Sequence, residues 1–141
     1  MEKHIVKARW LGKKAFEGDI DGHKIIVDTR EEKGGENRGP SPKRLMLMSL
    51  AGCTGMDVAS ILVKMREDLR DLNITVEGDL TEEHPKHYNS MHVIYEFTGK
   101  NLNMDNLRRA VDLSEQKYCG VMAVYKKVIR MSSEIRIIEV K

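Results

Sequence analysis

Apolar and polar positions alternate over the first 29 residues, and this pattern predicts three short β-strands. The alternating runs are His4–Trp10, Lys14–Ile20 and His23–Thr29, separated by Gly12 and by the pair Asp21-Gly22. Asp-Gly between two strand-like runs is a strong hairpin signal. From residue 30 to residue 41 the apolar residues give way to Gly, Asn and Pro, so this segment is predicted to be an exposed loop, and loops of this length often carry function.

A long and nearly charge-free run follows the loop and predicts a helix from Pro42 to about Leu69. Between Leu45 and Val63 the only charge is Asp57, so the run has the length of a minimal membrane span. The carboxylate in its middle, two glycines and basic residues on both flanks argue against a span. We therefore expect no membrane insertion, and a helix that is buried on most sides, in part by a second subunit.

Strand-like alternation returns after Asn73 and again from Met91 to Phe97, which predicts a second hairpin with a long turn. A helix is predicted from Asp105 to Tyr118, a short helix after Cys119, and a last strand over Ile135–Val140. The order βββ–α–ββ–αα–β predicts a single α+β domain over residues 1–141, with antiparallel sheets packed around a long central helix.

Charge and composition exclude some functional classes. The 24 lysine and arginine residues are balanced by 22 acids and are interspersed with them, which argues against a nucleic-acid partner. One tryptophan and two phenylalanines make a base-stacking platform hard to assemble. The N-terminal segment MEKHIVKARW lacks the pattern of a secretory signal, so we expect a cytoplasmic protein.

Cys53 and Cys119 are the two cysteines and the main candidates for chemistry. Either both are ordinary buried core residues, or they are two reactive thiols that meet in the fold. Cys119 can use the start of a short helix to stabilise a thiolate, whereas Cys53 lies far inside the long helix and needs a cation, for which Arg30 is the candidate. His84, His87 and His92 are too loosely spaced for a metal site, and we predict solvated turn residues, no metal and no cofactor.

Small residues around Cys53 leave room for a ligand beside the sulfur. Flexible apolar side chains on the same helix would line that space, and they suit a substrate with a hydrocarbon body. We predict that Met46, Leu50 and Met56 bind substrate. The alternative is that these side chains belong to the core, and that Gly52 and Gly55 serve close helix packing.

Three segments together resemble the OsmC/Ohr family of osmotically inducible and organic-hydroperoxide-resistance proteins. They are PSPKRLMLMSLAGCTGMDV, the strand end DTR before it and SEQKYCGV after it. The resemblance follows the whole chain in element order. It implies an OsmC-like fold and an intertwined homodimer with active sites at the subunit interface.

The resemblance also implies a role for each thiol. Cys53 corresponds to the peroxidatic cysteine, Cys119 to the cysteine that resolves its sulfenic acid as a disulfide, and Arg30 to the arginine that holds the thiolate. The implied activity is a thiol peroxidase of oxidative-stress defence, with a hydroperoxide as substrate and a dithiol as reductant.

One position departs from the family pattern. Peroxidase members commonly carry a glutamate directly after the proline, and here that residue is Lys43, followed by Arg44. The change either strengthens the activation of Cys53 or leaves Arg30 without its partner. Loop acids that could replace the glutamate are Glu31, Glu32 and Glu36. Two alternatives therefore stay open: a non-catalytic small-molecule-binding or redox-sensing protein of the same fold, and a dimeric structural domain with inert thiols.

Overall fold

The N-terminal part of the chain, where apolar and polar side chains alternate, forms a three-stranded sheet. The computed structural model describes residues 1–141, which form two compact units, Met1–Met46 and Leu47–Lys141. In the first unit, β1 (Lys7–Gly12), β2 (Ala15–Ile20) and β3 (His23–Val27) pair antiparallel in that order. The three predicted strands are confirmed. The predicted hairpin at Asp21-Gly22 is confirmed too, with both residues at positive φ, 50° and 83°.

The loop after β3 is built around the buried carboxylate of Asp28. Its side chain accepts hydrogen bonds from the backbone N–H groups of Thr29, Glu36 and Arg38 at 2.7, 3.2 and 3.1 Å. Burial opposes the charge, but these backbone bonds outweigh it and hold the pKa of Asp28 below its ordinary value. A Cβ atom at Gly35 would collide with the Thr29 carbonyl, so the loop also needs glycine there. Asp28 thus shapes the segment that presents Arg30.

We expect Asp28→Asn to loosen this loop, because an amide cannot accept three N–H bonds as a carboxylate does. Amide exchange at Thr29, Glu36 and Arg38 should become at least about tenfold faster by hydrogen-exchange NMR. Because the folded pKa of Asp28 is lowered, its stabilisation is present above the ordinary aspartate pKa and is lost as pH falls through the folded value. Asp21→Asn, in an exposed turn, is the matched control. Equal exchange in the two variants would contradict the role of Asp28.

Helix α1 (Pro42–Lys64) begins in the first unit and continues into the second. Its predicted start is confirmed, but its predicted end near Leu69 is wrong. Arg66 takes a left-handed conformation with φ of 59°, which stops the helix, and a strand already begins at Leu69. By length and composition α1 would suffice to cross a membrane, with a mean hydropathy of 1.6 in its most apolar window, 22% of which is buried. Core helices of soluble proteins meet the same criteria.

The second unit contains the other sheet and the shorter helices. The strands are β4 (Leu69–Leu80), β5 (Tyr88–Gly99) and β6 (Arg130–Glu139). Between β5 and β6 lie α2 (Met104–Leu113), a π-helical turn (Ser114–Tyr118) and α3 (Gly120–Tyr125). The predicted order of elements and the α+β class are confirmed.

Strand β6 runs parallel to β5, with Ser90 opposite Arg130 and Gly99 opposite Glu139. The parallel pairing differs from the antiparallel pairing expected for both sheets. In the second sheet only β4 and β5 pair antiparallel. The helical segment between the two strands carries the chain back to the start of β5, which makes a parallel return possible. Residues before and after the helical crossover therefore lie on the same sheet.

One face of this sheet forms the core with α1. Residues at every fourth position of α1 are buried: Leu50, Thr54, Val58 and Leu62. On β5 the buried residues alternate: Met91, Val93, Tyr95 and Phe97. Helix α2 adds Leu107, Ala110 and Val111 to this core. Tyr118, at the end of the predicted helix, is 54% exposed because the chain widens there into a π-helical turn. The core holds the middle of α1 in place beside β5.

Candidate functional site

The two cysteines come together in the second unit. Cys53 is half-buried in the middle of α1, next to the buried Thr54, and Cys119 is 3% exposed between the π-helical turn and α3. The two thiols are within hydrogen-bonding contact of each other, and both cysteines are in the free thiol form. Of the two interpretations, separate core cysteines or thiols that meet in the fold, the structure therefore favours the second.

Cys119 is held by the backbone on both sides. Its N–H donates to the Ser114 carbonyl at 2.8 Å, and its Sγ accepts from the Met122 N–H at 3.3 Å as the cap of α3. Burial raises the pKa of the Cys119 thiol to about 11; the contact with Cys53 adds to this effect, and the Met122 and Val121 backbone N–H groups oppose it. Cys119 therefore remains a neutral thiol near pH 7.

We expect Cys53→Ser to lower the pKa of Cys119, because it removes the neighbouring sulfur that helps to raise it. The change should be visible as a downward shift in the pH titration of the Cys119 ¹³Cβ chemical shift by NMR, a signal separate from the four tyrosines that ionise in the same pH range. Cys53→Ser leaves Cys119 as the single cysteine, so the signal belongs to one residue. Cys53→Ala is the control for the serine hydroxyl. An unchanged or higher Cys119 pKa in both variants would contradict the contact.

Arg30 belongs to the first unit, where its carbonyl accepts the N–H groups of Lys33 and Gly35 at 3.0 and 3.1 Å. Its side chain is exposed. Lys43 is likewise exposed, and the first turn of α1 contains no acidic residue. None of the loop acids Glu31, Glu32 and Glu36 forms a salt bridge with Arg30. The role of Arg30 toward Cys53 stays a prediction.

The three predicted substrate-binding residues differ in exposure. Leu50 is fully buried in the core of the second unit, Met56 is 77% exposed, and Met46 is half-buried in the first unit. Leu50 and Met56 lie one helical turn on either side of Cys53. Cys53 thus lies at the border between the buried and the exposed face of α1, and substrate contact by these residues stays a prediction.

Gly55 has a packing role in this part of α1. A Cβ atom there would lie 2.9 Å from Ile74 Cδ1 on β4, whereas a Cβ at Gly52 would meet open space. Helix α1 is unbroken through both positions. The expected close approach is therefore found at Gly55, and the partner is a side chain of the neighbouring sheet.

A chain of hydrogen bonds runs beside the two thiols and was not anticipated from the sequence. Thr54 Oγ1 lies 2.8 Å from Tyr95 Oη and 2.8 Å from Ser114 Oγ. Ser114 Oγ lies 3.0 Å from Asp57 Oδ2, and Tyr95 Oη lies 2.7 Å from Glu115 Oε2. The only sequence signals were the lone charge of Asp57 in an apolar run and a hydroxyl residue after Cys53. We refer to these five residues as the hydroxyl chain.

The histidines do not form a metal site. His84 and His87 are exposed in the turn before β5, as predicted, and His92, expected in or beside that turn, lies next to it within β5. Its Nδ1 lies 2.7 Å from Ser132 Oγ and its Nε2 lies 2.8 Å from Glu134 Oε1. Hydrogen bonds from His92 and from Arg136 lower the pKa of Glu134. No cluster of three or more His, Cys, Asp or Glu side chains is arranged to hold a metal ion.

Comparison with known proteins gives a consistent assignment. Residues 34–134 match the model of the family described as OsmC-like protein. Protein YhfA of Escherichia coli K12 is 30% identical over 94% of this chain and 96% of its own length. The crystal structure of a hypothetical protein from Aquifex aeolicus VF5 has a TM-score of 0.83 and 30% identity, covering 99% of this chain and all of that one.

A more distant structure has a name that refers to a function. It is described as an organic hydroperoxide resistance protein OsmC from Legionella pneumophila, with a TM-score of 0.68, 19% identity, and coverage of 96% of this chain and 98% of that one. At this identity the likeness establishes the fold alone. The family match and the 30% identical relative together show that the chain belongs to the OsmC-like protein family.

Proposed function

We propose that this protein is a cysteine-based thiol peroxidase that reduces hydroperoxides, preferably organic ones. The observation that carries the proposal is the contact between the Cys53 and Cys119 thiols. Two free thiols held together in one chain are what a peroxidatic and a resolving cysteine require. Names of family members of the same fold that refer to organic hydroperoxide resistance support the same chemistry.

The reaction has three steps. The Cys53 thiolate attacks one oxygen of the hydroperoxide, the O–O bond breaks, an alkoxide leaves and takes up a proton, and Cys53 becomes a sulfenic acid. Cys119 then attacks the Cys53 sulfur, an S–S bond forms, and hydroxide leaves as water with the proton of the Cys119 thiol. A dithiol reductant restores both thiols by exchange and is itself oxidised to a disulfide.

Assignment of the two roles follows from their surroundings. Cys119 is 3% exposed and its pKa is raised to about 11, so it is a poor first nucleophile toward a peroxide arriving from solvent. Cys53 is the more exposed of the two cysteines, at the edge of the exposed face of α1. We therefore assign attack on the peroxide to Cys53 and resolution to Cys119, with Met46, Leu50 and Met56 proposed to contact the substrate.

Activation of Cys53 requires a positive charge near its sulfur. Arg30 is proposed to stabilise its thiolate, and Asp28 shapes the loop in which Arg30 lies. Lys43 stands where peroxidases of the family commonly carry the acid that orients the arginine. We expect slower peroxide reduction than in members that keep the glutamate.

We further propose that the protein acts as a homodimer in the cytoplasm. The face of α1 opposite the buried stripe exposes large apolar side chains, with Met48 65%, Met56 77% and Val63 73% exposed. In the first unit, Trp10 pairs with Phe16 across β1 and β2, and both are exposed on the sheet, by 63% and 40%. Apolar surface of this extent is typical of an interaction site, and a second copy supplies matching faces.

The test is consumption of cumene hydroperoxide by the purified protein with dithiothreitol as reductant. The proposal expects catalytic consumption and a transient disulfide between Cys53 and Cys119, detected by mass spectrometry of the protein without reductant.

The alternative function, a redox sensor of the same fold, is favoured by the exposed Arg30 without a salt bridge. Disulfide formation without repeated turnover would support the sensor and would reject the peroxidase.

A further inference from the structure

The hydroxyl chain beside the cysteines contains fewer hydroxyl protons than its contacts need. It links two carboxylates through three hydroxyl groups, in the order Asp57, Ser114, Thr54, Tyr95 and Glu115. The four contacts measure 3.0, 2.8, 2.8 and 2.7 Å, and each needs one proton to be a hydrogen bond. Three hydroxyl groups supply three protons. A fully bonded chain therefore requires a fourth proton.

The fourth proton must reside on a carboxyl group. Serine and threonine hydroxyls do not ionise near neutral pH, and burial raises the pKa of Tyr95 above its ordinary value, so that its hydroxyl keeps its proton. No buried side-chain oxygen or nitrogen in the structure lacks a hydrogen-bond partner. Burial raises the pKa of Glu115, and nearby Asp112 adds to this effect, while Tyr95 and Ser133 oppose it. Glu115 is therefore suited to hold the proton at its end of the hydroxyl chain.

The hydroxyl chain is connected to the backbone segments that carry both cysteines. Thr54 follows Cys53 directly on α1, and the Ser114 carbonyl accepts the Cys119 N–H at 2.8 Å. The contact between Thr54 and Ser114 therefore links the backbone segments that carry the two thiols. If both carboxyl groups lose their protons, one of the four contacts has no proton, and the two oxygens repel each other across 2.8 to 3.0 Å.

We propose that the hydroxyl chain holds one shared proton, resting on Glu115, and that this proton keeps Cys53 and Cys119 in position for disulfide formation. The five residues of the hydroxyl chain are therefore positioning residues and not catalytic ones. The inference deepens the proposed thiol chemistry and rests on it for its biological meaning. The proton count itself rests only on the contacts.

The chain has an opening to solvent at its Glu115 end. Glu115 and Ser133 line a surface cleft of about 410 Å³ together with the basic residues Lys126 and Arg130. Ser133 Oγ donates to Glu115 Oε1 at 3.3 Å, which leaves Oε2 for Tyr95. The charged groups near Glu115 are therefore Asp112, which favours its proton, and the cleft residues Lys126 and Arg130. The proton exchanges with solvent through this cleft.

The decisive variant is Glu115→Gln, whose amide N–H₂ donates permanently to Tyr95 and mimics the protonated state. The matched control is Glu96→Gln, which changes the residue next to Tyr95 on the opposite face of β5. Infrared spectroscopy near neutral pH should show the carbonyl band of a protonated carboxyl group in the wild-type protein and in Glu96→Gln. The band should be lost in Glu115→Gln. A wild-type protein without the band, or a band that survives Glu115→Gln, would overturn the proposal.

The positioning role is tested by disulfide formation without any peroxide. Diamide accepts two electrons and two protons from the pair of thiols, so its reaction does not depend on peroxidase activity. The rate ratio of Glu115→Gln to wild type should be near one at low pH and should rise about fivefold as the wild-type chain loses its proton. The ratio for Glu96→Gln should stay constant. A constant ratio for Glu115→Gln would reject the positioning role. If the protein lacks peroxidase activity, the infrared band and the pH-dependent diamide ratio are still expected, so the two proposals can fail separately.

Discussion

Peroxide consumption should fall to background in Cys53→Ser, by at least about a thousandfold. The serine hydroxyl is not ionised near neutral pH and is a far weaker nucleophile toward an O–O bond than a thiolate. The substitution is nearly isosteric at a half-buried position, so the fold should be retained, which circular dichroism would verify. The measurement is initial-rate loss of cumene hydroperoxide with dithiothreitol present.

Cys119→Ser is the matched variant, and it should behave differently. Its Cys53 should still react once with peroxide and form a sulfenic acid that dimedone labels, because the resolving thiol acts only in the second step. In Cys53→Ser no sulfenic acid should form at Cys119, which is buried and has a raised pKa. An active Cys53→Ser together with an inactive Cys119→Ser would reverse the two roles.

Met56→Asp should convert the proposed homodimer into a monomer, weakening association by about a hundredfold or more. Met56 is 77% exposed in the single chain, so the carboxylate costs little there beyond a modest loss of helix propensity. In a dimer that covers this face, the same carboxylate would be buried without a partner, which costs several kcal/mol. Sedimentation velocity over a range of concentrations measures the change.

Lys86→Gln, in the exposed turn before β5, lowers the net charge by one unit as Met56→Asp does, and this control should leave the dimer unchanged. The exposed apolar face predicts that the wild-type protein is dimeric at micromolar concentration. A monomeric wild type, or a Met56→Asp protein as dimeric as the control, would show that this face of α1 is not the interface.

Most elements could be predicted from local patterns. The hairpin at Asp21-Gly22, the start of α1 at Pro42 and the order of helices and strands depend on nearby residues, and all are found in the structure. The end of α1 could not be predicted in this way, because it depends on a left-handed backbone conformation at Arg66 that arginine does not favour. The parallel pairing of β6 with β5 depends on where the helical crossover returns the chain, which periodicity does not encode.

The candidate site was predictable in part. Cys53 and Cys119 stand out as the two cysteines, and their contact was expected only from the resemblance to a family. The hydroxyl chain could not be predicted because Thr54, Tyr95 and Ser114 come from three elements and meet only through tertiary packing. Ser114 lies within the helix predicted from Asp105 to Tyr118, but the local pattern does not indicate the hydrogen-bond partners of its hydroxyl group.

The tight packing at Gly55 determines which of the two cysteines moves when the thiols become a disulfide. Ile74 Cδ1 packs closely against Gly55, two residues from Cys53, and the 23-residue helix around it has a buried stripe along its length. Cys119 lies instead in a short link between a π-helical turn and a six-residue helix. We therefore expect α1 to act as the fixed partner, and the redox cycle to bend the backbone around Cys119.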